Sequence, residues 1–261
     1  MILEIMTKLD YTLPKPCDLL MQLEVAEMHD QTVLSAKLET NETEHFATVP
    51  AEDRIGTRTW LRASERLTIS YQARVQVDRA PQDISKLAAV PPHLLPGEVV
   101  KYLMASRYCP SDQFLAFTDA EFGHLKGGAR IAAMRDWIER AFAYVPGVSN
   151  SKTTGLDTFV QRQGICRDFA HVLITLARAS AIPARMVSAY GIGVEPQDFH
   201  ALVDVYLDGS WYPVDPTGMV APGGLARIGV GRDAADISFL TAYGALNLET
   251  QSVDVREAGA D

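Results

Sequence analysis

Cys166, His200 and Asp215 are residues whose types, taken together, suit nucleophilic catalysis. A thiol can attack a carbonyl, an imidazole can take its proton and return it to a leaving group, and a carboxylate can fix the imidazole tautomer and steady its charge. The three lie far apart in the chain, so the fold must bring them together.

From Cys166 the chain runs CRDFAHVLITLARAS. At 3.6 residues per turn, Phe169, Ala170, Val172, Leu173, Ile174, Leu176 and Ala177 fall on one broad arc with Cys166, and Arg167, Asp168, His171, Thr175 and Arg178 take the other. The spacing predicts an amphipathic helix with the thiol facing inward at its first turn and Gly164 permitting an abrupt entry. Unpaired N–H groups and the positive end of the helix dipole favour an anion there, so a thiolate becomes accessible and the same groups could hold an oxyanion. The plainer alternative is a small apolar residue packed at a helix start. His171 falls on the polar arc, roughly 140° round from Cys166, and is expected to point away from it.

Residues 199–207 alternate, placing His200, Leu202, Asp204 and Tyr206 on one face of a strand and Ala201, Val203, Val205 and Leu207 on the other. Asp208-Gly209 is a favoured two-residue turn, and Ser210 to Asp215 reads as the returning strand. With Leu207 opposite Ser210, Asp215 lies opposite Leu202 and shares a face with His200, a diagonal neighbour about 7 to 8 Å away at the backbone. A three-residue loop would send Asp215 to the opposite face unless a bulge corrected it. Taken singly, His200 reads equally as an ordinary strand histidine and Asp215 as a turn carboxylate in Asp-Pro-Thr-Gly.

The stretches GICRDFAHVLITLARASAIPARMVSAYGIG and FHALVDVYLDGSWYPVDPTG together resemble the core of the transglutaminase-like superfamily of cysteine enzymes. Weaker similarity extends upstream to about Leu95 and downstream through GRDAADISFL, and the N-terminal third resembles the β-rich leader region of bacterial members. The resemblance implies Cys166 as nucleophile, His200 as general base and acid, and Asp215 as its orienter. The implied fold class is α+β: a papain-like core in which the cysteine helix packs on an antiparallel sheet, preceded by a small β-sandwich or meander. Many relatives follow the histidine with Ala-Trp, whereas this chain has Ala201-Leu202, so Trp211 or Tyr190 is expected to supply the missing aromatic. Gln161 and Gln163 are candidates for the second oxyanion donor that papain-like enzymes place ahead of the cysteine, with solvated loop residues as the alternative. Arg232 and Asp233 are expected to brace the site.

With 261 residues, 47% of them hydrophobic, the chain can bury a sizeable core. Alternation over residues 67–77, with shorter runs around 2–9 and 19–38, predicts a β-rich N-terminal domain over 1–90. The proline-rich stretch 81–96 reads as a linker into a catalytic domain over 91–261. Helices are predicted over 97–107 and 129–143, a short helix or loop over 153–163, and a strand over 183–190. The glycines at 223–224 and 229–231 read as loops, because the lysine and following helix of a phosphate-binding loop are missing.

Three cysteines, Cys17, Cys109 and Cys166, are an odd number for a disulfide framework and show no metal-ligand spacing. Neither a cofactor nor a metal is expected, and no calcium-binding loop is present. A net charge of −9 argues against nucleic acid or an anionic membrane as partner. The first residues are too short and acidic a run for a signal peptide, so the cytoplasm is the expected location. The expected activity is acyl transfer on a peptide or amide substrate, a peptidase or amidase if water resolves the acyl-enzyme and a transglutaminase if an amine does. The other class of reading is a non-catalytic scaffold on the same fold.

Overall fold

In-out alternation over residues 2–21 and 57–77, interrupted only at 14–16 and 64–66 where the pairing shifts register, makes the two longest strands of the molecule and pairs them with each other. The computed structural model describes residues 1–259. In chain order it comprises strands β1 (Ile2–Met21), β2 (Gln31–Thr40), β3 (His45–Pro50) and β4 (Thr57–Val77), then helices α1 (Gly97–Val100), α2 (Leu115–Phe122) and α3 (Gly127–Ala141). There follow β5 (Ala143–Tyr144), α4 (Gly155–Gln161), β6 (Gln163–Gly164), α5 (Cys166–Ala179), β7 (Ala184–Gly191), β8 (His200–Leu207) and β9 (Ser210–Val214). The chain closes with β10 (Leu225–Gly231), α6 (Ala234–Ile237), β11 (Leu240–Ala242) and β12 (Asn247–Glu257).

The α+β class holds, with one antiparallel sheet at its centre. That sheet has the order β10-β7-β8-β9. On one side, Ala170, Leu173 and Ala177 of α5 share a core with Ala184, Met186, Val203 and Val205 of the sheet, and α3 adds Ile131, Met134 and Ile138. Each leucine, isoleucine, valine or methionine among them stabilises the packing by roughly 1.5–3 kcal/mol. On the other side, Tyr190, Ala226 and Ile228 meet Leu3, Ile5, Tyr71 and Val75 of a six-stranded sheet built mainly from the N-terminal strands. Between the layers runs a buried ion network. Asp204, fully buried, accepts from Arg185 at 3.0 and 3.2 Å and from Arg227 at 2.7 Å, while Arg227 and Arg79 both bind Asp30. Burial works against the charge on Asp204, but the two arginines outweigh it and hold the carboxyl below its usual range.

Several expectations are corrected. The N-terminal unit is not a continuous stretch ending at residue 90, because β11 and β12 return to pair with β1. Its strands form one sheet whose facing layer is the central sheet. The 81–96 segment is stitched down rather than free: Ala89 bridges Leu207, and the N–H of Asp208 donates to the carbonyl of Ala88 at 3.0 Å. Residues 97–107 make only the single turn α1 and a short 3-10 turn over Lys101–Leu103. Gly229 and Gly231 lie within β10 rather than in a loop. A Cβ on Gly229 would stand 1.9 Å from the Gln22 side-chain nitrogen, so a larger residue there would have to push that side chain aside. The polar arc of α5 is not a solvated face either: Asp168, His171, Thr175 and Arg178 are all buried. Arg178 ties the helix to the carbonyls of Met104, Ala184 and Arg232.

Candidate active site

The first turn of α5 is built around Asp168. Its carboxylate reaches back to accept from the N–H of Ile165 at 2.9 Å, while its own N–H donates to the Ile165 carbonyl at 2.9 Å. A negative group is thereby held at the positive end of the helix. Gly164 serves this arrangement through space rather than through turn geometry: a Cβ there would meet the Asp168 side chain at 2.7 Å. Cys166 follows, buried, with its thiol on the wall of a cleft of about 490 Å³.

Upstream, the chain ends α4 in a left-handed residue, Arg162, whose guanidinium lies 4.4 Å from the Phe159 ring centre and 4.5 Å from that of Trp137. It then forms the two-residue strand β6, which runs parallel to β5 and pairs Tyr144 with Gly164. This stitch sets Tyr144 beside Gly164 and brings its side chain near Cys166, two residues further on. Burial pushes the Tyr144 pKa up, and the charge of the adjacent cysteine adds to the rise.

The hairpin adopts the two-residue turn, with φ of 46° at Asp208 and 79° at Gly209. Leu207 pairs with Ser210 and Val203 with Val214, so the register is the one that puts Asp215 diagonally beside His200. His200 Nε2 and Asp215 Oδ2 are 2.9 Å apart. The same oxygen accepts from the N–H of Val220 at 3.0 Å, and Oδ1 accepts from the N–H and hydroxyl of Thr217 at 2.9 and 2.7 Å. Burial would raise the Asp215 carboxyl, but His200 and Thr217 outweigh it and hold it below the usual range. With Nε2–H given to Asp215, Nδ1 of His200 is buried without a hydrogen-bond partner, and the neighbouring titratable group is the Cys166 thiol. Burial opposes the charged imidazole, yet the hydrogen bond to Asp215 and the charges of Asp215 and of the nearby Cys166 push His200 up to about 10.

The remaining sequence candidates lie elsewhere. Gln161 is exposed at the end of α4 and Gln163 is half-buried in β6; neither lines the cleft. Tyr190 is buried between the two sheets, donating to the Leu23 carbonyl at 3.0 Å and accepting from Thr7 at 3.3 Å. Trp211 packs edge-on against Tyr102 under the Arg185 guanidinium and lines a separate hollow with Asp53 and Glu98. Leu202 is fully buried in an apolar cluster with Val187 and Ala189. Arg232 pairs with Asp236, and Asp233 accepts from the N–H of Tyr108, a wall residue of the cleft.

His171 is buried as well, stacked on Tyr108 at 5.0 Å, and burial drives its pKa well below the ordinary value, so it stays neutral. Residues missed from the sequence include Tyr144 and the stacked pair Phe199 and Phe239, whose rings lie 4.5 Å apart on the cleft wall. Asp168 gave no readable capping signal, because the residue three before it is Ile165, which has no side-chain acceptor, and only the carboxylate half of the box is made.

The family model described as the transglutaminase-like superfamily matches residues 119–216, the segment that carries all three side chains. A solved structure from Cytophaga hutchinsonii, described as a candidate cysteine protease, superposes over 100% of this chain and 92% of its own, with a TM-score of 0.93 and 30% identity. The chain belongs to the transglutaminase-like superfamily. Two curated relatives align over part of their length. An uncharacterized protein of Mycobacterium leprae is 35% identical over 120 residues, 42% of this chain and 42% of that protein. A protein-glutamine gamma-glutamyltransferase of Pseudomonas aeruginosa is 32% identical over 113 residues, 38% of this chain and 17% of that protein. The alignments therefore take in less than half of either curated relative. Among the described residues of this superfamily member, no helix is long and apolar enough to cross a membrane.

Proposed function

We propose that this protein is a thiol-dependent acyl-transfer enzyme that hydrolyses an amide bond, a cysteine peptidase or amidase. The observation that carries the reading is the polarised imidazole: Nε2 of His200 is bound to a carboxylate already saturated with donors, and Nδ1 is left without a partner beside the Cys166 thiol. Proton transfer from Sγ to Nδ1 gives a thiolate and an imidazolium. The thiolate adds to the carbonyl carbon, and the resulting oxyanion is held by the Cys166 N–H and the Tyr144 hydroxyl. His200 then gives its proton to the leaving amine as the C–N bond breaks, and water, deprotonated by His200, cleaves the thioester.

The likeness to a candidate cysteine protease over the whole chain favours water as the acceptor. The similarity to a glutamine gamma-glutamyltransferase supports a second reading, in which an amine resolves the same thioester. Cys17, Cys109 and Cys166 are all free thiols, which suits a reducing compartment, and on that ground we place the protein in the cytoplasm.

Iodoacetamide alkylation of Cys166 followed against pH, in the native protein and in His200→Ala, tests the reading. The native thiol is expected to react at least about tenfold faster near neutrality. Identical profiles would reject an activated thiol and leave a non-catalytic scaffold. Release of a peptide amine, set against incorporation of a labelled primary amine, separates hydrolysis from transamidation.

A further inference from the structure

The wall of the Cys166 cleft carries more positive than negative side chains, in a protein of net charge −9. Arg107 and Arg167 both line it, against the single carboxylate of Asp198. Asp198 is already engaged: it accepts from Gln251 at 2.6 Å and from the Phe199 N–H at 2.7 Å, and burial pushes its pKa up. Arg167 is partly engaged, by Asp168 at 3.3 Å, the Ser149 hydroxyl at 3.2 Å and the Asn150 carbonyl at 3.0 Å. Among the described residues, no carboxylate pairs with Arg107, which is exposed.

Arg107 is nevertheless held in place from behind. It sits in a turn closed at both ends, where Ser106 and Cys109 exchange main-chain hydrogen bonds at 3.1 and 3.2 Å. Arg178 donates to the Ser106 hydroxyl at 3.0 Å, and the Gly155 N–H donates to the Tyr108 carbonyl at 2.7 Å. The Tyr108 ring stacks on His171, and its hydroxyl donates to the Ser151 carbonyl at 2.7 Å. The Arg107 guanidinium lies 4.9 Å from the centre of that fixed ring. Residues 149–151 thus brace Tyr108 and Arg167 together, and a planar cation with its N–H groups unspent suits the two oxygens of a carboxylate.

Resting on the thiol chemistry proposed above, we propose that the enzyme selects amides that carry a carboxylate close to the carbonyl attacked by Cys166, with Arg107 as the specificity-determining residue and Arg167 beside it. A cleft of about 490 Å³ is roughly 10 Å across, so a carboxylate within one residue of that carbonyl stays in reach of its walls. The low-dielectric walls concentrate the field of the two cations where the substrate must enter.

The test uses probes that need no turnover: the α-amides of N-iodoacetyl glutamate, N-iodoacetyl glutamine and N-iodoacetyl lysine. They share one reactive carbon, and the first two differ in charge alone. Each loses iodide as Cys166 Sγ is alkylated, and peptide mapping follows that thiol apart from Cys17 and Cys109, which are 2% and 0% exposed. The native protein is expected to react about tenfold faster with the glutamate probe than with the glutamine probe, as for one charged hydrogen bond, and slowest with the lysine probe. The advantage should shrink as ionic strength rises from about 0.05 to about 0.5 M. Arg107→Gln is expected to remove most of it, and Arg107→Glu to place the lysine probe ahead of the glutamate probe. Equal native rates for glutamate and glutamine, a preference that survives both substitutions, or a loss in Arg107→Gln shared equally by all three probes overturns the assignment while leaving the thiol chemistry standing. A Cys166 inert to every probe removes that chemistry instead.

Discussion

Asp215→Asn is the substitution that tests the site most directly. The rise of His200 from its ordinary 6.5 to about 10 corresponds to about 5 kcal/mol, at 1.36 kcal/mol per unit, won against burial. Asp215 and Cys166 share it. Assigning about half to Asp215 gives roughly 2 to 3 kcal/mol, so the substitution is expected to bring the imidazole down by about two units. Because His200 must be protonated to release the amine, the alkaline limb of kcat/KM should move from near pH 10 toward pH 8. The rate should fall about twofold at pH 8 and about tenfold at pH 9, approaching a hundredfold only above pH 10.

An asparagine also fits the clamp badly. Both carboxylate oxygens accept main-chain N–H groups, from Val220 and Thr217, so the amide NH₂ faces a donor in either orientation and should cost about 1–3 kcal/mol of stability. The pH dependence of that loss has a definite sign. A raised histidine pKa stabilises the native state fully below about 6.5, and the contribution fades as pH rises through about 10. The lowered Asp215 contributes above the usual carboxylate pKa and loses its share in acid. The stability gap between native protein and variant should therefore be widest between about pH 4 and 6.5 and narrow toward pH 10. Rate profiles on a peptide anilide and urea titrations at several pH values measure both. An alkaline limb that stays within half a unit, together with a gap that ignores pH, would refute the reasoning.

Tyr144→Phe, which removes only the side-chain hydroxyl, is expected to lower kcat about 10- to 100-fold with little change in KM, read by steady-state kinetics; an unchanged kcat removes Tyr144 from the mechanism. Arg227→Met leaves buried Asp204 with Arg185 as its remaining partner and should cost about 3–5 kcal/mol in urea unfolding, and a loss below about 1 kcal/mol would show that the ion network is dispensable.

How much of this was legible depended on whether the information was local. The hairpin register could be read because Asp208-Gly209 admits one tight turn, and that turn fixes every pairing up to Val214. The cysteine helix could be read from periodicity, but its surroundings could not. Periodicity separates apolar from polar residues without saying whether the polar side meets water, and here it meets Asp233, Tyr108 and the carbonyls that Arg178 binds. Gln161 and Gln163 were suggested by nearness in the chain, yet the left-handed turn at Arg162 and the pairing of β6 with β5 leave both outside the cleft. Tyr144 came in by a two-residue parallel bridge, too short to leave any alternation in the sequence. The return of β11 and β12 was invisible for a related reason, since alternation marks a strand without naming its partner.

That return has a bearing on how the molecule comes into being. Synthesis runs from the N-terminus, and the helix carrying the sulfur leaves the ribosome well ahead of residues 239–257. Until those last strands emerge, β1 lacks two of its neighbours and the cleft lacks one wall. The groove around Cys166 is thus unfinished in a nascent chain, and the thiol chemistry proposed above would have its full site only once residues 239–257 are in place.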